Sequence, residues 1–304
     1  MAELSPYSGH SFVPESTNNS WSNMYGFIPD GSRVLDVGCS TGNFGEALER
    51  LKGCTVVGVD VNEQDIEQAK SRISEAHVFD ITTPGARERF GMFDVVVFAD
   101  VIEHFPEPGA VLRAARELLA DEGVLVYSIP NMGHVSVRLD LLEGRFPYTA
   151  LGLLDRTHLH FYDRIEVHSV LESAGFTIVA EHPTVADYPE RWTTQRLNAI
   201  GLSPTPAFYD MLRVTESRVF QYVGAAVPST EAQTVPPTEE SLVLPPDEIL
   251  ARANGLLDDI ERLEGENQRL ALELDDLRNW AIRLKRRPVS ALAAALRRRL
   301  SRRE

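Results

Sequence analysis

Residues 34–45 constrain this chain more than any other stretch. Val34, Leu35 and Val37 surround a single acid, Asp36, and Gly38 follows at once. A short run this apolar predicts a parallel strand buried on both faces. Gly38 and Gly42 predict a tight turn. Phe44–Leu51 carries helical spacing, with Asn43 placed to cap it. Strand, glycine loop and helix make the ligand-binding corner of an open α/β sheet, where small molecules sit beyond the carboxyl ends of the strands. The next strand, Thr55–Val59, ends in Asp60, an acid placed to accept both hydroxyls of a ribose.

Two ligand classes use such a corner. A dinucleotide site needs G-x-G-x-x-G, so that bare backbone can approach a pyrophosphate. Here the glycines are Gly38, Gly42 and Gly45, and Ser40 stands where the second glycine would be. Acids also end the next strands: Asp80 closes His77–Phe79, and Asp100 follows Ala99 at the end of the Phe93–Phe98 run. Carboxylates crowding one rim repel a pyrophosphate and suit a cationic ligand. S-adenosyl-L-methionine has the required parts: a ribose, an adenine amino group, an ammonium and a sulfonium.

The segments VLDVGCSTGNFGEAL, VVGVDVNEQDIEQAK, VFDIT and FDVVVFADVIEHFPEP stand in order across the first part of the chain. In these segments the sequence resembles the class I S-adenosylmethionine-dependent methyltransferases, over about the first two thirds of its length. The resemblance implies a Rossmann-like α/β fold with a seven-stranded, mostly parallel sheet, whose last strand runs antiparallel between the fifth and sixth. It implies that Gly38, Cys39 and Gly42 take the methionine portion, and that Asp36 orients the loop or reaches the ammonium. Asp60, beside Val61, takes the ribose. Asp80 meets the adenine edge with Ile81 stacked beside it, and Ala99 and Asp100 flank the methionyl group. A second run, GRFPYTALGLLDRTHLHFYD, is similar to a segment of bacterial methyltransferases linked to surface polysaccharide assembly. It makes a sugar or glycan-lipid hydroxyl the first-choice acceptor, ahead of a small aromatic or quinone-like metabolite. A scaffold with a vestigial cofactor domain is the reading from another class, and the intact cofactor loop speaks against it.

Methyl transfer asks the protein chiefly to align acceptor, methyl and leaving sulfur and to exclude water. A hydroxyl acceptor gains from a general base. His104, just past the fourth strand, and His158 are the candidates. Asp155, Arg156, His160 and Tyr162 cluster near His158 in sequence and form the candidate acceptor pocket. No Cys/His cluster has metal-ligand spacing, so no metal site is expected from sequence.

Composition sets the remaining bounds. No basic stretch followed by an apolar run opens the chain, and no segment reaches the length of a membrane span, so a cytoplasmic protein is expected. Two cysteines give no disulfide framework, and Cys39 and Cys54 read as small buried residues. The net charge of −15 is unevenly spread: Arg283–Glu304 holds nine basic residues and one acid, leaving 21 basic and 44 acidic residues elsewhere. An acidic body argues against nucleic acid as a partner.

The methyltransferase domain is expected over residues 1–227, with a polar, turn-rich start leading into a helix that partly covers the cofactor. Residues 228–246 are rich in Pro, Thr, Ser and Glu and read as a linker. Over 247–287, Ile249, Leu256, Leu263, Leu270, Leu277 and Leu284 alternate by four and three with Ala253, Ile260, Asn267, Leu274 and Ala281. That is a heptad seam, and one Asn at an a position favours a parallel two-stranded coiled coil. Residues 288–304 set Val289, Leu292, Leu296 and Leu300 in one stripe beside five arginines, a pattern suited to peripheral contact with an anionic membrane. The full chain is therefore expected to scatter light as a homodimer through 249–284, and a chain ending at Pro246 as a monomer. Flotation with anionic vesicles should be salt-sensitive and should vanish when residues after Arg287 are removed. A monomeric full chain, or indifference to vesicle charge, contradicts the corresponding half.

Overall fold

A computed structural model describes residues 12, 14, 18–214 and 216–229. The heptad seam, the basic tail and all of the linker beyond Ser229 lie outside the described residues. Five parallel strands form one side of the sheet: β1 (Arg33–Val37), β2 (Thr55–Asp60), β3 (Glu75–Val78), β4 (Phe93–Ala99) and β5 (Leu119–Pro130). Beyond β5 lie β6 (Phe176–Glu181), β7 (Thr184–Val185) and β8 (Val219–Pro228). The order is β3-β2-β1-β4-β5-β8-β6, and β8 runs antiparallel to both β5 and β6. The expected inserted last strand is thus in place, and the two-residue β7 adds an eighth strand on β8.

The sheet is covered on both faces, which is why its inner strands are apolar at nearly every position. Leu35, Val37, Val57, Val59, Val96 and Phe98 join one cluster with Val111 and Leu112 of α5 (Pro108–Leu118) and Val167 and Leu171 of α7 (Arg164–Ser173). The alternate residues Val34, Val56, Val95 and Val97 join the other, with Met24 of α1 (Ser20–Phe27), Phe44 and Leu48 of α2 (Asn43–Lys52) and Ile66 of α3 (Glu63–Ala69). Asp36 shares the pleat face of Val34, so a carboxyl sits at the carboxyl end of this second layer. Cys39 and Cys54 are both buried free thiols, as expected.

One local expectation is corrected. Asn43 does not cap α2: the N-cap is Gly42 at φ 79°, and Asn43 is the first helical residue. The left-handed turn that swings the chain from β1 into α2 needs glycine at the cap itself. Helix α3 ends at Ala69, and Arg72 in the following turn donates to the Thr41 carbonyl at 2.6 Å. The segment 133–163 contains α6 (Val135–Leu142), whose buried residues Val135, Val137 and Leu139 alternate by two. That period reads as strand or loop, and its N-cap is His134, an unusual capping residue. α4 (Ala86–Phe90), α8 (Glu190–Ala199) and α9 (Pro206–Val214) are the remaining α-helices among the described residues. No helix among them is long and apolar enough to cross a membrane.

Gly224 of β8 is where a side chain is least tolerated. A Cβ there would lie 2.5 Å from the Tyr127 hydroxyl and 2.7 Å from the Ala180 carbonyl oxygen. Tyr127 is itself fully buried and donates to Glu181. Gly224→Ala should therefore lower unfolding free energy by about 1–3 kcal/mol, the usual cost of overpacking. Urea denaturation of the full chain measures it, and an unchanged midpoint would show that β8 can shift.

Candidate cofactor and acceptor site

The carboxyl ends of β1, β2 and β4 open into a cavity of about 470 Å³. Its floor is the loop after β1. Gly38 and Cys39 donate backbone N–H to the Val59 carbonyl at 2.8 and 3.2 Å, which presses the loop against β2. At φ 74°, Gly38 has Val101 so close that a Cβ would lie 2.5 Å from its Cγ2. Ser40, at φ 46°, is held in a conformation few side chains accept, and its N–H donates to Asp60 Oδ2 at 2.9 Å. The other Asp60 oxygen accepts from Asn62 N–H at 2.9 Å. One carboxylate thus fixes both the glycine loop and the turn leading into α3. The Ser40 hydroxyl donates to the buried Asp65 at 3.1 Å, and Asn62 caps α3 by accepting from the N–H of Gln64 and Asp65.

The site is acidic. Asp36 is 2% exposed, and burial first, then the charge of Asp60, push its pKa up to about 7. Asp100, at φ 52°, takes both carboxylate contacts from Gln221 Nε2 at 2.8 Å, and its N–H donates to Ser128. Burial raises the Asp100 pKa, and the Gln221 and Ser128 hydrogen bonds oppose that rise. A carboxyl whose pKa burial raises is stabilised as a carboxylate by an approaching cation.

Of the residues expected to hold the cofactor, Asp36, Gly38, Cys39, Asp60, Val61, Ala99 and Asp100 line this cavity. Gly42 lies just behind it as the cap of α2. Asp80 and Ile81 are not brought to the wall. Asp80 is exposed and accepts from the N–H and hydroxyl of Thr82, and Ile81 is buried in the cluster that holds Val111 and Leu112. The strand before them is β3, four residues long, and it ends at Val78, so both residues fall in the following turn.

The candidate acceptor cluster is also placed differently. His104 lines the cavity together with Thr157. His158 stands behind His104, 8% exposed, with ring centroids 4.8 Å apart. Asp155 accepts from the N–H and hydroxyl of Thr157 and shapes its own turn. Arg156 is exposed, His160 faces the Pro106 carbonyl at 3.3 Å, and Tyr162 is buried in the core with its pKa pushed up to about 12 by desolvation, then by Glu103 and Glu166. None of Asp155, Arg156, His160 and Tyr162 reaches the cavity wall. The segment instead docks on β4's exit, where the N–H groups of Leu159 and His160 donate to the Glu103 carbonyl.

That docking assembles a group that sequence spacing hides. Glu103, His104 and His158 bring one ligand atom each within 4.8 Å of one another, although 54 residues separate the histidines. Both Glu103 oxygens are buried without a hydrogen-bond partner among the described residues. His104 Nδ1 faces the Thr157 carbonyl at 3.2 Å and His158 Nδ1 faces that of Leu153 at 3.3 Å. Protons on those nitrogens leave both Nε2 lone pairs free, as ligands require. The 3.8 Å approach of His158 Nε2 to Glu103 is not a charged pair: burial raises Glu103 well above the carboxylate range and lowers His158. A divalent cation would bring the Glu103 pKa back down, keep His158 neutral and give a buried Glu103 oxygen a partner.

Strand-end acids around a glycine loop define a nucleoside-binding Rossmann-like domain, with fixed polar groups for a ribose and carboxyls for a cation. The family described as Methyltransferase domain matches residues 19–181, more than half of the chain, and the chain belongs to that family. Its cofactor is S-adenosyl-L-methionine, whose parts the cavity accommodates. Among curated proteins, the chain is similar to the ubiquinone biosynthesis O-methyltransferase of Psychrobacter arcticus, 32% identical over 157 residues, covering 48% of this chain and 60% of that one. The same enzyme of Xanthomonas axonopodis pv. citri is 33% identical over 158 residues, covering 49% and 64%. The chain thus spans less than two thirds of the length of these relatives. Among solved structures, a SAM-dependent methyltransferase from Archaeoglobus fulgidus is 20% identical with a TM-score of 0.46, covering 64% of this chain and 85% of that one.

The raised pKa of Asp36 gives a proton-linked test. A carboxyl raised in the folded apo protein contributes stability that is full below its unfolded pKa and is lost as pH rises through about 7. A bound cation that lowers that pKa must expel the proton, so at pH 7 cofactor binding should release about half a proton from Asp36. Calorimetry in buffers of different ionisation enthalpy measures the release. Asp36→Asn should remove it, and an identical release in the variant would place the titrating group elsewhere.

Proposed function

We propose that this protein transfers the methyl group of S-adenosyl-L-methionine to a hydroxyl on a small aromatic or quinone-like metabolite. The observation that carries the reading is the cavity at the carboxyl ends of β1, β2 and β4, with Asp60 and Asp100 on opposite sides of the glycine loop. Support for the acceptor class comes from the curated relatives, which are O-methyltransferases of ubiquinone biosynthesis. The glycan acceptor expected first rested on the Asp155–Tyr162 segment. That segment contributes only Thr157 to the cavity wall, and the relatives named above are not glycan enzymes.

In this reading Asp60 accepts from the ribose hydroxyls and the loop at Gly38 holds the amino-acid end. Trp21, from α1, closes the cavity on one side and helps exclude water. His104 is the protein group at the wall that can take the acceptor proton, since its Nε2 carries the lone pair. A divalent cation held by Glu103, His104 and His158 would take that lone pair as a ligand, and would then replace His104 as base by supplying Lewis acidity that favours an ionised acceptor oxygen.

The test is transfer of labelled methyl to catechol and hydroquinone probes by the full chain. Asp60→Ala should weaken cofactor affinity by about 1.5–3 kcal/mol, the worth of a hydrogen bond to a charged group. His158→Ala and Glu103→Gln should lower turnover far more than cofactor affinity, and chelation should mimic them in the wild type alone. Transfer to a glycan lipid but to no phenolic probe would return the acceptor to the first expectation. Unchanged cofactor affinity in the Asp60 variant would remove the binding assignment.

A further inference from the structure

A second cavity, of about 510 Å³, adjoins the first. The two share Trp21 and Asp100, so a molecule in the second meets whatever the first presents at Asp100. Its walls come from the start of α1, from Leu151 and Gly152, and from the β7–β8 pair through Val185 and Phe220. The volume lies in the range of pockets that enclose a whole small molecule.

The chemistry of this wall is selective. Among the described residues that line it there is no Lys, Arg or His. The one ionisable side chain is Asp100, which is negative or neutral but never positive. The amides and hydroxyls are tied to one another. Gln221 Nε2 is spent on Asp100, and Gln221 Oε1 accepts from Thr184 at 3.1 Å. Asn18 is clamped on Val185, donating to its carbonyl and accepting from its N–H, each at 2.7 Å. A carboxylate or phosphate placed here would lose its water, gain no cation and face an acid. An uncharged ring would lose nothing comparable against Trp21, Leu151, Val185 and Phe220.

We propose that the second cavity is the acceptor site and that it selects an acceptor uncharged at the end remote from the reacting hydroxyl, with Asp100 accepting a hydrogen bond from a hydroxyl at the junction. The proposal rests on the cofactor occupying the first cavity. The reacting oxygen faces that cavity and its positive charge, while the rest of the acceptor lies where no cation meets it. Asp100 already accepts from Gln221, Ser128 and Ser20, which leaves room for one further donor among the roughly four lone-pair sites of a carboxylate.

The experiment compares 3,4-dihydroxybenzamide with 3,4-dihydroxybenzoate, which differ only in charge remote from the hydroxyls. Both are titrated by calorimetry into the full chain saturated with S-adenosylhomocysteine. The amide should bind at least about tenfold more tightly than the carboxylate. Leu151→Arg, on the exposed rim of the second cavity and outside the first, should leave S-adenosylhomocysteine affinity unchanged and narrow the gap to under about threefold. Equal or tighter binding of the carboxylate to the wild type, binding of neither probe, or an unaltered ratio in the variant would overturn the proposal while the cofactor remains bound. Failure of S-adenosylhomocysteine to bind at all would instead remove the functional reading beneath it, and the proposal with it.

Discussion

The carboxylate of Asp60 organises this site before any ligand enters. It draws in the N–H of Ser40 from the β1 loop and the N–H of Asn62 from the β2 turn, both at 2.9 Å. Those two bonds hold Ser40 at φ 46° and set the entry to α3, whose Asp65 then ties back to the Ser40 hydroxyl. The loop that must present bare backbone to a ligand is therefore braced from the neighbouring strand. Its close approach to Val101 leaves no room for a side chain at Gly38. Rigidity of this kind spares the ordering cost at binding.

Burial then gives the acids their differing behaviour. Asp36 sits at the end of an apolar layer and is held near pH 7, while Glu103 lies deeper with both oxygens unsatisfied. Orphaned buried oxygens cost free energy unless something completes them. A cofactor ammonium near Asp36 and a divalent cation at Glu103, His104 and His158 are the species whose charge would do so. The cost of burying these carboxyls becomes selectivity for positively charged ligands in the first cavity, beside a second cavity without cationic side chains among its described residues.

Much of this was legible in the sequence where one local rule operates. The apolar strands, the acids at the ends of β1, β2 and β4, and the glycine loop each follow from periodicity and turn chemistry within about ten residues. What was not legible depends on distant segments meeting. Gln221 reaches Asp100 from 121 residues away, and nothing local marks it. His158 was singled out for its neighbours in sequence, but its partners in space are Glu103 and His104. Asp80 and Ile81 fall in the turn after β3, because that strand is short and stops at Val78.

The most direct measurement is a crystal structure of the full chain with S-adenosylhomocysteine. The account requires the ribose hydroxyls within hydrogen-bond distance of Asp60, the amino-acid end on the loop at Gly38, and the sulfur directed toward Asp100 and the second cavity. A ligand seated in the second cavity, or a ribose bound without Asp60, would contradict it.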